Sequence, residues 1–447
     1  MISVKNTSFD PPLPYLNDTS SVAPVFVDCG GSEEIRNDAI LEAVSIIVPS
    51  FFETPVHSRA ERARAAKHDS STSSTSLYAC TEKNKNFRRC QATVSCLTGG
   101  LSNALFIVSK NNRNSTRTHD VPSVVLVRIH FDSPNDLESL FVDRARDVLT
   151  LSHLSRCGQG PKLYGRFLNG RIEEFFPNVS PIQWSEMSSE LYQSSIAQAM
   201  AKMHLQLVPT NDCTSEVSLP SKGEIFDKVD KWFQFLEQIS SLPEAHIDDA
   251  RLQDLDALGR MKREWEWLKA ELQPVIVKSS VVKVVDLAKL FAREIVFCHM
   301  DCQSLNILKS SSEPGIKLID FEYAGYNPRA ADIANTFCEH CDMNNLRAKF
   351  IEQYPTEKQQ DAFLRVYICE VDKALPALLD KLNGWEEFMA ELRDEVWRHA
   401  LISHLGWAVW AIIQSLTSPI EFDYVQYAVQ RMEGYDYFKK KLWCDDS

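Results

Sequence analysis

The 447-residue sequence predicts an α+β protein built as two lobes, a small β-rich one followed by a large, mainly helical one. Three observations predict it. β-branched and apolar runs cluster between residues 92 and 177, helical periodicity dominates from about residue 182, and one polar, hairpin-like interruption at 295–325 breaks that helical half. A chain of this length exceeds one ordinary core, which agrees with two lobes. The expected organisation is a helix and a flexible insertion over 1–90, a β-rich lobe over 91–180 and a helical lobe over 181–447.

Taken in order, residues 1–32 read as irregular, with several prolines. SEEIRNDAILEAVSIIV, which begins at Ser32, reads as an amphipathic helix with Ser32 as its N-cap. Residues 55–90 are rich in Arg, Lys and Ser with few apolar anchors, as expected of a mobile insertion. ATVSCL, NALFIVS and VPSVVLVRIHF read as three strands, the first two joined by the turn TGGLS. A helix follows at 136–155, then PKLYGRF and RIEEFFP as two strands around Asn169-Gly170. Helices are expected at 186–206, 224–240, 247–271, 346–353, 357–382, 385–416 and 423–440, with breaks inside some of them.

The formal net charge of −13 and a pI near 5.4 argue against nucleic acid or an anionic membrane as the main partner. MISVKNTSFDPPLPYL lacks a basic stretch followed by an apolar run, so no secretory signal is expected, and the twelve cysteines are read as reduced, cytoplasmic thiols. No transmembrane segment is expected. Residues 275–297 carry Lys278, Lys283, Asp286, Lys289, Arg293 and Glu294, and 401–416 is short. Cys338 and Cys341 form a C-x-x-C, and Cys298, His299 and Cys302 lie close together. Zinc or redox chemistry is the alternative for these; structural thiols are the expectation.

The chemistry-bearing pattern is His299-x-Asp301-x-x-x-x-Asn306 followed by Ile319-Asp320-Phe321. Phosphoryl transfer to an alcohol needs a carboxylate beside the hydroxyl and oxygen ligands for Mg²⁺. Asp301 fits the first role, and Asn306 and Asp320 the second. Glu322 leaves an extended chain on the same face as Asp320 and joins the metal set. In the β-rich lobe Gly99-Gly100 lets backbone N–H groups approach phosphate, and Ser102 adds a hydroxyl. Arg128 takes the place of a strand cation that grips phosphate, and Asp147 is positioned to hold it. Residues Glu173, Glu174 and Phe176 fall where adenine would meet the backbone. A sheet lobe, a helical lobe and this hairpin together outline a protein-kinase-like fold.

VFCHMDCQSLNILKS and IKLIDFEYAGYNPRAADIANTFCEH closely resemble the choline/ethanolamine kinases. The resemblance extends to GPKLYGRF and NGRIEEF, to VDR at 142–144, and to SHLGWAVWAIIQ and IEFDYVQYA, and so covers the chain from about 92 to 440. It implies ATP and Mg²⁺ as cofactors, Asp301 as base, Asn306 and Asp320 near the metal and Gln303 near the nucleotide. It also implies formation of phosphocholine as the first step of a route to phosphatidylcholine, and a homodimer. Asp301-Cys302-Gln303 and Phe337-Cys338-Glu339 lean towards choline over ethanolamine. Trp407, Trp410, Tyr427 and Tyr323 offer aromatic faces for a quaternary ammonium, with Glu339 to balance its charge; the matching positions line the choline pocket in that family. Five residues depart from the family pattern. Met300 stands where Asn is usual, Asp147 where Glu is usual, Ser304-Leu305 where a pair ends in Gly, and Asn344 where choline kinases can carry a pocket Tyr. An ethanolamine-preferring member and a non-catalytic nucleotide-binding relative are the alternatives. A protein kinase fits less well, because the strand cation is Arg and Glu322 follows Phe321 where D-F-G would need Gly.

Overall fold

The computed structural model describes residues 22–30, 32–52, 82–97, 103–111, 122–130, 140–208, 219–240, 249–273, 283–311, 315–341, 350–374, 384–418 and 420–443. The chain divides into two compact units, Met1–Pro134 with Pro161–Pro177, and Asn135–Gly160 with Asn178–Ser447.

The first unit is a six-stranded sheet in the order β1-β5-β6-β4-β3-β2. Its strands are β1 (Val22–Ala23), β2 (Ala92–Leu97), β3 (Asn103–Lys110), β4 (Val124–His130), β5 (Leu163–Phe167) and β6 (Gly170–Glu174). All neighbours pair antiparallel except β1, which lies parallel to β5. β1 was not expected, since a two-residue strand leaves no period to read. Asn169, in the β5–β6 turn, fixes the segment after it: its side-chain amide accepts from Val27 N (2.9 Å) and donates to Val27 O (2.8 Å).

Helix α1 (Glu33–Ile47) starts where the sequence places it, the Ser32 hydroxyl accepting from Ile35 N. Its buried Ile40, Leu41, Ala43, Val44 and Ile47 join Phe106, Val108, Val125, Val127, Ile129 and Ile172 in one core. Most of the expected insertion lies outside the described residues, but its end is helix α2 (Glu82–Gln91). That stretch is almost wholly polar and shows no apolar period. Charge anchors it instead: Arg89 meets Asp38 (2.5 Å) and Glu34 (2.7 Å) on α1.

The second unit opens with α3 (Arg144–Arg156), capped by Asp143. The sequence assigned this helix to the β-rich lobe; its partners lie in the helical unit, Arg146 with Glu224 and the neighbouring Phe141 against Trp232. After β7 (Val179–Pro181) come α4 (Glu190–His204), α5 (Glu224–Ser240), α6 (Ala250–Leu255), α7 (Lys262–Glu271) and α8 (Val284–Arg293). The helical stretch expected over 247–271 is broken at Asp256, which takes a left-handed φ of 45° and accepts from Arg260 N. Helix α8 is not among the expected helices, because its short apolar run is interrupted by Asp286, Lys289 and Arg293.

The hairpin region supplies β8 (Ile295–Cys298), β9 (Ile307–Ser310), β10 (Ile316–Leu318) and β11 (Gly325–Pro328). β8 pairs with β11, while β9 sits between β10 and β7. Then follow α9 (Arg329–Cys338), α10 (Phe350–Gln353), α11 (Glu357–Ala374), α12 (Trp385–Thr417) and α13 (Tyr424–Trp443). The segment 401–416, read as too short to span a bilayer, belongs to the 33-residue α12, the one described helix long and apolar enough to do so by length and composition. Two thirds of its apolar window is buried (67%), and it packs on α8, α9 and α13, as a central core helix does.

One glycine is required by close approach. A Cβ at Gly170 would overlap the Arg128 carbonyl oxygen and the Phe167 ring. Gly170→Ala is therefore expected to destabilise the protein by about 1–3 kcal/mol, read as a lower urea midpoint; an unchanged midpoint would show that β4 and β6 can part freely.

Candidate functional site

The loop between β8 and β9 carries His299 to Asn306, and the turn between β10 and β11 carries Asp320 to Tyr323. Two hydrogen bonds bring the two together, and a third orders the first loop. Ile319 N donates to Asn306 O (3.0 Å), His299 Nε2 donates to Ile319 O (3.0 Å), and Asp301 N donates to His299 Nδ1 (3.3 Å). His299 is thus used through both ring nitrogens in its neutral form, and burial lowers its pKa in agreement. Asn306 Nδ2 donates to the Asp301 carbonyl and to Asp301 Oδ2, both at 2.9 Å. That commits the amide nitrogen and leaves Oδ1 to face a cation.

Two residues here adopt left-handed backbone, Met300 and Asp320, each with φ of 65°. Such a conformation costs a non-glycine residue roughly 1–2 kcal/mol, and asparagine accepts it better than methionine. The expected departure at Met300 therefore has a physical meaning. Two features hold it: Met300 N donates to Asp332 Oδ1 (2.7 Å), and its side chain packs with Val296, Cys298, Ala331 and Tyr323.

Asp332, on α9, is wholly buried and was not singled out from the sequence. Its carboxylate accepts from His299 N (2.7 Å), Met300 N (2.7 Å) and His204 Nε2 (2.8 Å). Burial pushes its pKa up, but these donors outweigh that and hold it below the usual carboxylate range. His204 Nδ1 in turn accepts from Tyr367 OH, which accepts from Arg329 Nη1 (2.7 Å). His204, Cys298 and Asp332 lie within 4.8 Å, the one group of possible metal donors among the described residues. The His204 and Asp332 atoms already serve these hydrogen bonds, so the group is a locked polar core. The thiols of Cys298, Cys302, Cys338 and Cys341 are buried and unpaired by disulfides.

Asp301 faces a cluster of acids. Burial first, then Glu339, Asp320 and Glu322, raise its pKa well above the usual carboxylate range. Glu322 meets Arg144 Nη1 at 3.3 Å, and the same nitrogen lies 3.9 Å from Asp147. Arg144, inside the VDR run, is the residue the sequence reading missed here. Glu339 forms a buried ion pair with Arg431, whose Nε donates to Tyr427 OH (2.8 Å). The charge Glu339 offers is thus met first by Arg431, a partner not foreseen.

The four predicted aromatic residues converge. Tyr323 and Trp407 meet edge to face with centroids 5.1 Å apart, Trp407 and Trp410 at 5.4 Å, and Trp410 and Tyr427 at 6.5 Å. Trp410 Nε1 donates to Tyr323 OH (3.1 Å). Phe141 and Tyr424 extend this cluster against Trp410. Gln303 is half-buried in the loop, its N–H on Asp301 O.

In the first unit Arg128 and Arg171 both donate through Nε to the buried Glu173, at 2.8 and 3.0 Å. Burial pushes the Glu173 carboxyl up, yet the two guanidiniums hold it at about 2. Arg128 thus has a positioning partner on its own sheet; the pairing expected with Asp147 would join residues of different units. Glu173 and Glu174 sit opposite Leu126 and Val125 in the ladder, so their backbone belongs to the sheet, and Phe176 follows beyond β6, half-buried. Gly99, Gly100 and Ser102, like Asn344, lie outside the described residues.

Asp332→Asn tests the anchoring network. An amide cannot accept from all three donors, so one buried N–H is left unmatched. The expected loss is about 1–3 kcal/mol of unfolding free energy; equal stability would show the network to be dispensable.

The family model for choline/ethanolamine kinase matches residues 94–436. A mouse choline/ethanolamine kinase is 31% identical over 376 residues, covering 80% of this chain and 83% of its own. The crystal structure of a choline kinase from Cryptosporidium parvum superposes with a TM-score of 0.60 at 24% identity, covering 79% of this chain and 90% of its own. A Plasmodium vivax ethanolamine kinase gives 0.60 at 19% identity over 88% and 99%. These two structures share the protein-kinase-like α+β architecture expected from the sequence. A family match over this span, with this identity to curated relatives, makes the chain a member of the choline/ethanolamine kinase family.

Proposed function

We propose that this chain transfers the terminal phosphoryl group of ATP to the hydroxyl of choline, with ethanolamine as a second acceptor. The observation that carries the reading is the meeting of the Asp301–Asn306–Asp320 loops with the Tyr323–Trp407–Trp410–Tyr427 cluster on adjacent residues of one turn. Asp301 accepts the hydroxyl proton late in a loose transition state. Its pKa is raised first by burial and then by the acids around it, which fits a site completed by a cation. Asp320 and the free Oδ1 of Asn306 are the oxygen donors suited to Mg²⁺, with Glu322 beside them. The ion would neutralise charge on the phosphates. Arg128, steadied by Glu173, is assigned to phosphate, together with the Gly99-Gly100 turn and Ser102. The aromatic faces take the ammonium, which in choline has no N–H to donate. The same proposal takes the chain as a cytoplasmic homodimer, open to a light-scattering mass measurement.

The direct test is an ATP-dependent phosphorylation assay with choline and ethanolamine as alternative acceptors; turnover of neither ends the proposal. Asp301→Asn is expected to lower kcat by about 10²- to 10⁴-fold with little change in KM for ATP. Retention of a large share of kcat would remove Asp301 from the role of base. Trp410→Ala is expected to raise KM for choline roughly 2- to 30-fold, and that for ethanolamine less. Equal losses for both acceptors would make the tryptophan a packing residue.

A further inference from the structure

A cavity in the second unit is lined by Tyr323 and Trp407, by Met300 next to Asp301, and by Glu224 and Lys228 from α5. Lys228 is half-buried and places its ammonium 5.2 Å from the centroid of the Tyr323 ring. Among the described residues no carboxylate lies within ion-pair distance of that ammonium, and no acceptor within hydrogen-bond distance. The amine is therefore held chiefly against an aromatic face, and the ring it uses is one of the four assigned to the substrate ammonium.

We infer that Lys228 is a specificity-determining residue, a tethered cation that competes with the acceptor's ammonium for the face of Tyr323 and disfavours quaternary ammonium groups. This rests on the proposed amino-alcohol site. A primary ammonium is small and can still donate hydrogen bonds to nearby carboxylates. A trimethylammonium group has only the aromatic faces, and its bulk needs the volume that the lysine fills. The charged groups acting on Lys228 are Glu224 and Lys231 on its own helix, Arg146 on α3 and Glu322 in the β10–β11 turn. Burial lowers its pKa to about 8, with Arg146 and Lys231 acting the same way and Glu224 and Glu322 opposing them. The competing charge is thus present at pH 7 and mostly gone at pH 9.

Tetramethylammonium is the probe, because its charge does not titrate and its binding needs no turnover. Calorimetric titration of the full chain at pH 7 and pH 9 compares wild type, Lys228→Met and Lys228→Arg, with circular dichroism confirming that each is folded. Lys228→Met is expected to bind roughly 2- to 30-fold tighter than wild type at pH 7, with no further gain at pH 9. Wild type is expected to tighten between pH 7 and pH 9, and Lys228→Arg, which keeps its charge, to stay weak at both. Equal affinity of wild type and Lys228→Met at pH 7, or a pH effect that persists in Lys228→Met, overturns the inference. Absence of choline and ethanolamine turnover in all three would end the proposed function separately, since the binding comparison still decides the role of Lys228.

Discussion

A single buried carboxylate organises the second unit. Asp332 has no solvent and must be matched by donors from the protein; an unmatched charge there would be severely destabilising. Two of its donors are consecutive backbone N–H groups, those of His299 and Met300. Gripping both at once fixes the peptide plane between them and so fixes where the chain enters the loop that carries Asp301. The third donor, His204, extends the same constraint through Tyr367 to Arg329. Helices α4, α9 and α11 are thus tied to one loop by polar contacts, in a region otherwise built from apolar packing.

This constraint explains how the site tolerates its strain. Left-handed backbone at Met300 and Asp320 would relax if the surrounding contacts allowed. Asp332 restrains the first. The pairing of Ile319 N with Asn306 O, just before Asp320, restrains the second. The strain falls beside Asp301 and on Asp320 itself; its first restraint, Asp332, comes from α9, and its second comes from Asn306 in the facing loop.

The legible parts of the sequence were those governed by local rules. The Ser32 cap, the Asn169-Gly170 turn and the strands of the first sheet other than β1 follow from spacing and turn chemistry, and the aromatic residues converge because helical spacing and motif order placed them. The illegible parts are pairings between distant charges. Arg144 with Glu322, Arg431 with Glu339 and Arg128 with Glu173 each join residues whose sequence neighbours give no hint of a buried partner, or offer several. Helix α2 was missed for the same reason, since Arg89 and Asp38 anchor it in place of an apolar stripe. Lys228 had no reading at all from sequence; only the direction of its side chain onto Tyr323 makes it notable.

The burial of the central thiols has a chemical consequence. Thiolate, not thiol, attacks electrophiles and oxidants, and burial raises the pKa of Cys302, the neighbour of Asp301, and of Cys298 far above neutrality. Cys90, Cys96 and Cys369 are exposed. An alkylating reagent or mild peroxide therefore meets the peripheral thiols first, and the thiols of β8 and of the loop that follows it stay chemically silent while the fold is intact.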